Sequence, residues 1–506
     1  MPSRGTDTSH SAIVMAGLDP AIHVFSPGAH KGVDARDERG HDGIRSRPHN
    51  PRTSGSIMAG ETKALAQFAA GLRYEDIPAP AVAIAKACIV DTVGVVLFGS
   101  TMPWSRIVTD YVHHIGDGSS TVLGPGFRRA SAPGAAFANG AFAHAFEFDN
   151  LRQPSTGVHP GATVLTGALA AAEEAKVSGK DLITAFVAGL ECMFRFALAA
   201  KSSSEKLGFH APGITGVFGS AVAASKIMKL SAEQTTMAMG IGGSFCSGLL
   251  AFVKSGQGGM VKRIHMGRAA EGGVTAANLA ARGFEGPEVI LEGKFGVLDV
   301  YARDGDASLI AAGLGERWET LTITFKTFPC HVTSQSPVQA LLALRAQNQF
   351  TPADIANITI EVSDKVLSHH ADPAPRDVAT AQYSLPFTIA LALFRDPGDP
   401  QAFLDGPNQN PAILELAKRV ALRPYTKDGP NNNDMACRLH IALKDGRTLS
   451  LAKTDFEGTT TSPLSRERLE QKFLKLAGVI PQAQRTALLS RLNNLEDVKV
   501  AELFRF

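Results

Sequence analysis

The sequence predicts a mostly α protein: a large all-helical domain with a smaller α+β domain inserted into it. Three observations carry this. Residues 58–285 are rich in alanine and glycine and run in long segments of 3.6-residue apolar period. After Glu316 the period changes to two. From Ser465 the helical period returns, so the chain is expected to go back to the first domain. The helical domain then spans 58–325 and 454–506, the insertion spans 326–453, and a cleft is expected between them.

Residues 1–57 come first and differ from the rest. They are rich in Gly, Ser, Arg, Asp, His and Pro and hold no periodicity, so a disordered leader is expected. The stretch from Ala12 to Phe25 is interrupted too often for a secretory signal. Translation from Met58 is the alternative reading. Leu65, Phe68, Ala69 and Leu72 then fall at i, i+3, i+4 and i+7, an amphipathic helix. Pro78 and Pro80 open the next helix, with Ile84, Ala87, Cys88 and Asp91 along it. Helices follow over 162–175, 180–200, 216–228 and 232–241, where alanine favours both helix and close packing.

After Glu316, Leu321, Ile323 and Phe325 alternate, as do Ile358, Ile360 and Val362, and Leu439, Ile441 and Leu443. Asp445-Gly446 turns the last of these into Leu449 and Leu451, a hairpin signal. Helical runs at 337–347 and 381–394 separate the strands. Leu469, Phe473 and Leu474 mark the returning helix.

Composition limits the function. The chain has 506 residues, 44% hydrophobic and 19% charged, with a net charge of +2, so total charge points to neither nucleic acid nor an acidic membrane surface. No apolar run is expected to reach bilayer length, since 82–98 is broken by Lys86 and Asp91. The five cysteines are scattered with no CxxC, which fits a reducing cytoplasm and gives no support to a zinc or iron–sulfur site.

The stretch GQGGMVKRIHMGRAA (256–270) is the centre of the functional reading. Its glycines free the backbone, and a helix starting after them places Lys262 and His265 on one face. A helix N-terminus beside an ammonium suits a carboxylate or phosphate. Neither a Walker A loop nor GxGxxG after a strand is present. Elsewhere, HAFEFD (144–149) brings Glu147 and Asp149 close to a loop that reaches His159-Pro-Gly. His210 precedes a glycine-rich helix start, Lys326 follows a strand, and Tyr383 sits in AQYSLP (381–386). Carboxylates and histidines on loops suit acid–base work. Taken singly, each also reads as ordinary structure: a helix end, a cap, a solvated lysine, a core tyrosine.

Taken in order, these motifs resemble the MmgE/PrpD family. So do Lys326-x-x-Pro-Cys-His331, Asp445-Gly-Arg, and Pro463-Leu-Ser-x-x-x-Leu-x-x-Lys-Phe473. The likeness covers roughly Met58 to the C-terminus. The family includes 2-methylcitrate dehydratase, cis-aconitate decarboxylase and an iminodisuccinate epimerase. The resemblance implies an all-helical domain with an inserted α+β lid, a homodimer, and no metal or organic cofactor. It carries the site over onto Glu147, His159, His210, Lys262, Lys326 and Tyr383. With Asp149 added, the expected catalytic set is His159, His210, Tyr383, Glu147 and Asp149. The expected substrate-binding set is Lys262, Lys326, Arg263, His265 and His331.

The implied activity is a cofactor-independent lyase that dehydrates a small di- or tricarboxylic hydroxy acid, a 2-methylcitrate dehydratase-like hydro-lyase. His159 as base and His210 as acid, or the reverse, would move the protons. Epimerisation, decarboxylation and an inactive carboxylate-binding scaffold are the alternatives. The partner is a small carboxylic acid, with neither nucleic acid nor membrane expected. One departure stands out. Citrate-type members show Asp-Phe-Asp-Asp-Thr where this chain has Glu147-Phe-Asp-Asn-Leu151. If Leu151 faces the site, 2-methylcitrate is expected to turn over poorly.

Overall fold

The computed structural model describes residues 60–152, 158–253, 259–405, 410–425 and 433–506. The expected leader and the glycines at 256 and 258 lie outside them. The chain opens with α1 (Glu61–Gly71), burying Leu65, Ala66 and Ala69 as the period required. α2 (Ala79–Gly99) starts after Pro78, and α3 (Pro103–Ile115) follows. A short hairpin of β1 (Ser120–Val122) and β2 (Arg128–Ala130) was not legible in the sequence, since three-residue strands carry no period. α4 (Ala132–Ala143) comes next, then β3 (Leu151–Arg152).

α5 (Thr166–Ala175) is entered through a π-helical turn at Gly161–Leu165, a geometry often found at functional sites. α6 (Gly179–Ala200) begins in a reciprocal cap between Ser178 and Asp181. After α7 (Ser203–Lys206), α8 (Ala211–Ile227) starts directly behind His210, earlier than the apolar period suggested, because Pro212 sets its first turn. α9 (Ala232–Gly243) and α10 (Val261–Ala281) complete the set.

α10 packs against α8, α4 and α9. Its crossing with α4 leaves no space for a side chain: a Cβ on Gly267 would lie 2.3 Å from Phe137 O, and one on Gly140 would lie 2.8 Å from Gly267 Cα. This approach holds the start of α10, with Lys262, against the chain that leaves α4.

α2 and α6 are long and apolar enough to cross a bilayer, which corrects the expectation that no segment is. Lys86 and Asp91 do not interrupt α2. The most apolar window is 67% buried in α2 and 94% buried in α6, so the protein's own core accounts for their composition.

α11 (Val297–Tyr301) and α12 (Ser308–Ala311) lead to β4 (Ile323–Thr324), which pairs with β3. The strand expected at 321–325 is mostly a 3-10 turn over Glu319–Thr322. Then come α13 (Gln335–Gln347), β5 (Ile355–Val362), α14 (Asp364–His369), α15 (Val378–Tyr383) and α16 (Leu385–Phe394). The single helical run expected at 381–394 is broken at Ser384, whose hydroxyl caps α16 by accepting from Phe387 N. α17 (Pro400–Leu404), α18 (Pro411–Ala417), β6 (Val420–Pro424), β7 (Cys437–Leu443) and β8 (Thr448–Lys453) follow. The sheet order is β6-β5-β7-β8, with β5 parallel to β6 and antiparallel to β7. β6 escaped the sequence reading because its side chains are mostly exposed and it ends in proline. α19 (Arg466–Leu476) and α20 (Gln482–Asn493) end the chain.

Two main apolar cores result. One gathers the buried faces of the helices up to α10 together with Leu469, Phe473, Leu488 and Leu492 of α19 and α20. The other holds Phe328, Leu341, Ile358, Phe387 and Leu439. Phe142 belongs to the first and Phe146 to the second, so the chain passes from one core to the other immediately before Glu147.

Candidate active site

Glu147 stands at the centre. α4 ends at Ala143, with His144 closing its last turn. Glu147 is held at φ 54°, a left-handed conformation that costs a non-glycine residue free energy and often marks a functional position. Its side chain is buried and pairs with Lys262 through Oε1. Lys326 Nζ reaches both Glu147 O at 3.0 Å and Oε2 at 3.3 Å. The Tyr383 hydroxyl donates to Oε1 at 3.5 Å, and the Lys262 ammonium lies 4.9 Å over the Tyr383 ring. Two lysines and a phenol thus converge on one carboxylate.

Asp149 forms a second centre. Its Oδ2 accepts from His144 Nδ1 at 2.8 Å and lies 2.9 Å from His159 Nδ1. The two imidazole rings meet edge to face at 4.7 Å. Lys326 Nζ, 3.9 Å from Asp149 Oδ1, joins this centre to the first. His144 Nε2 is buried 3.9 Å from Glu147 Oε1, with no hydrogen-bond partner among the described residues.

The other expected residues flank these centres. His210 Nδ1 and His265 Nδ1 are 3.0 Å apart, with Phe252 against both rings and His144 6.3 Å from His210. His331 stacks on His370 at 4.1 Å and lies 5.0 Å from the Tyr383 ring. Arg263 turns elsewhere: its guanidinium lies 5.0 Å over Trp104 and gives Nη1–H to Gly259 O at 2.6 Å. Among the described residues, its contacts tie the start of α10 to α3 rather than meeting the Glu147 carboxylate.

Burial sets the electrostatics. It pulls the His144 imidazole well below the ordinary histidine range, partly opposed by Asp149. It does the same to His210, with His265 adding to the effect, and to His331, with His370 adding. His265 is brought down to about 4 by burial and Lys262. These rings are neutral near pH 7. Burial alone would raise the Asp149 carboxyl, but His144 and His159 beside it hold it well below the usual range. Burial, then Lys326 and Arg263, pull the Lys262 ammonium well below the lysine range, while the Glu147 carboxylate against it works the other way. Burial also lowers Lys326, opposed by Asp149, and raises the Tyr383 phenol.

His144, Asp149 and His159 offer three ligand atoms within 4.8 Å of one another. Oxygen and nitrogen donors of this kind suit zinc or a similar ion. The same carboxylate is held by a hydrogen bond from His144 Nδ1 and stands 2.9 Å from His159 Nδ1, an arrangement that also suits proton movement without an ion.

Asn150 and Leu151 correct an expectation. Asn150 gives its amide to Asp91 Oδ2 at 3.0 Å and Thr92 Oγ1 at 2.9 Å, and accepts from Gly161 N at 3.0 Å. Leu151 packs with Val332 and Phe456. Neither presents an end to the Glu147 centre, so the departure at these positions carries no argument against 2-methylcitrate. The sequence reading passed over His144 and His370. His144 was detectable, three residues before Glu147 and closing the helix that precedes it; His370 gave no signal. A cleft of about 820 Å³, lined by Phe148, Phe328, Gln339, Lys472 and Lys475 among others, includes none of the expected site residues. It lies one residue away from them, behind Phe148.

Comparison with known proteins adds the following. The model of the MmgE/PrpD N-terminal domain matches residues 63–310, and that of the MmgE/PrpD C-terminal domain matches 328–495. Cis-aconitate decarboxylase of Homo sapiens is 29% identical over 452 residues, covering 87% of this chain and 92% of that protein. Cis-aconitate decarboxylase of Mus musculus is 29% identical, covering 88% and 92%. Cis-aconitate decarboxylase of Aspergillus terreus is 27% identical, covering 88% and 93%.

Proposed function

The chain belongs to the MmgE/PrpD family, and on that premise we propose that it is a lyase acting on a small di- or tricarboxylic acid without a cofactor, with decarboxylation as its first reaction. The observation that carries the reading is the convergence of Lys262, Lys326 and Tyr383 on one buried carboxylate. Groups that hold the Glu147 carboxylate can hold a substrate carboxylate in its place, with Glu147 displaced. Similarity to cis-aconitate decarboxylases favours loss of carbon dioxide over the loss of water expected from the sequence.

In that reaction the C–C bond to one carboxylate breaks and carbon dioxide leaves. The bonding pair delocalises into the unsaturated acid that remains, and a proton added to carbon completes the product. The lysines stabilise the developing charge, as preorganised donors do in a dry site. His159, oriented by Asp149, and neutral His210 are the groups placed to move the proton. The α+β segment acts as a lid over this centre, and the enzyme works as a homodimer; the family resemblance supports both. The test is mass-spectrometric assay of purified protein on cis-aconitate, citrate, 2-methylcitrate and smaller hydroxy diacids, with and without EDTA. Carbon dioxide release from cis-aconitate, unaffected by EDTA, is expected. Water loss from a hydroxy acid alone would restore dehydration, and activity lost to EDTA and regained with zinc would assign the His144–Asp149–His159 trio to a metal.

A further inference from the structure

The motif that ends in Lys472-Phe473 has no part in the reaction just proposed, yet Lys472 lies directly behind it. Lys472 stands on α19, with its side chain 8% exposed. Its ammonium donates to two backbone carbonyls and forms an ion pair with Asp91. Asp91 Oδ1 is at 2.7 Å, Phe148 O at 2.9 Å and Lys326 O at 2.9 Å. The ammonium also lies 4.0 Å over the Phe148 ring.

Phe148 separates Glu147 from Asp149, and Lys326 is the lysine that bridges those two carboxylates. One side chain therefore ties together the backbones of the two segments whose spacing sets the Lys326–Glu147 contact. The network continues outward. Asp91 Oδ2 accepts from Asn150, and Asn150 accepts from Gly161 N, two residues past His159. This also accounts for an amide at position 150, because it donates to Asp91 and accepts from Gly161 at once. A carboxylate there would face Asp91 with like charge.

We infer that Lys472 is a positioning residue for the reaction, fixing Lys326 and Asp149 relative to Glu147 from behind. The inference rests on the proposed lyase activity. The charged groups that act on Lys472 are Asp91 on α2, Lys326 and Asp149.

The experiment compares wild type, Lys472→Met and Asp91→Asn/Lys472→Met on the acid that the wild type turns over best. The single variant leaves Asp91 buried without its cation and is expected to lose thermal stability; the double variant removes that burden and is expected to regain it. In both, kcat should fall on the order of 100-fold with KM changed far less, the scale of a misplaced catalytic group. Wild-type kcat in a folded double variant, or a loss carried by KM with kcat unchanged, would reduce Lys472 to a structural ion pair and overturn the inference. A wild type inert toward every acid would instead remove the lyase reading, and the inference with it.

Discussion

Glu147 illustrates how a single residue can be costly to the fold and useful to the site. It combines a left-handed backbone, a buried carboxylate and two lysines, and stability alone explains none of these choices. Lys262 is its closest partner. Lys262→Met should lower kcat/KM by the equivalent of about 2–4 kcal/mol, the loss of one electrostatic donor from a dry site. Steady-state kinetics on the preferred acid check this, and a near-wild-type value would return Lys262 to a structural role. His144→Phe keeps the bulk of the ring but removes the donor to Asp149 Oδ2. Leaving that bond unmade should cost about 1–3 kcal/mol, read mainly in kcat, because Asp149 no longer sits squarely behind His159.

At the scale of elements, the site depends on how closely α10 approaches α4. Gly267 and Gly140 permit that approach, and α10 carries Lys262 and His265 on its first turns. Gly267→Ala would force the helices apart, at a cost of about 1–3 kcal/mol in overpacking. Thermal melts should show the loss. Activity should fall further than folded fraction explains, since the displacement moves Lys262 relative to Glu147; a variant that melts earlier but keeps full specific activity would contradict this. The segment Asn150-Leu151 behaves differently. Asn150→Asp should destabilise the protein by setting a carboxylate against Asp91, without improving 2-methylcitrate turnover. Melting and assay of the same preparation test both halves.

For the whole molecule, the buried histidines set the pH dependence of stability. His265 and His370 titrate at about 4 in the folded protein, below the ordinary value of 6.5. His144, His210 and His331 are also pulled well below it. Below 6.5 the unfolded chain therefore binds more protons than the folded one. The stability these groups contribute is fully present above that value and is lost as pH falls toward and through 4. Denaturant midpoints measured from pH 7 down to pH 4 should decline steadily, and a flat response across that window would contradict the burial of these rings.

How much of this was legible beforehand follows from range. Helix type, the period-two strands β5 and β7 and the β7–β8 hairpin are local, so apolar spacing and Asp445-Gly446 announced them. The order of motifs announced the family. Short or exposed elements such as β1, β2 and β6 carry too few apolar positions to show a period. The site itself is a matter of long-range contact. Glu147 meets Lys262 and Lys326 across more than a hundred residues of chain, and Asn150 meets Asp91 across nearly sixty. The sequence by itself determined which groups were available: two carboxylates, several histidines, two lysines and a tyrosine. Only the tertiary structure decided which of them share a carboxylate, turned Arg263 onto Trp104 and Leu151 into the core, and set Lys472 behind Lys326. Those choices depend on helix crossings and burial, which no local pattern encodes.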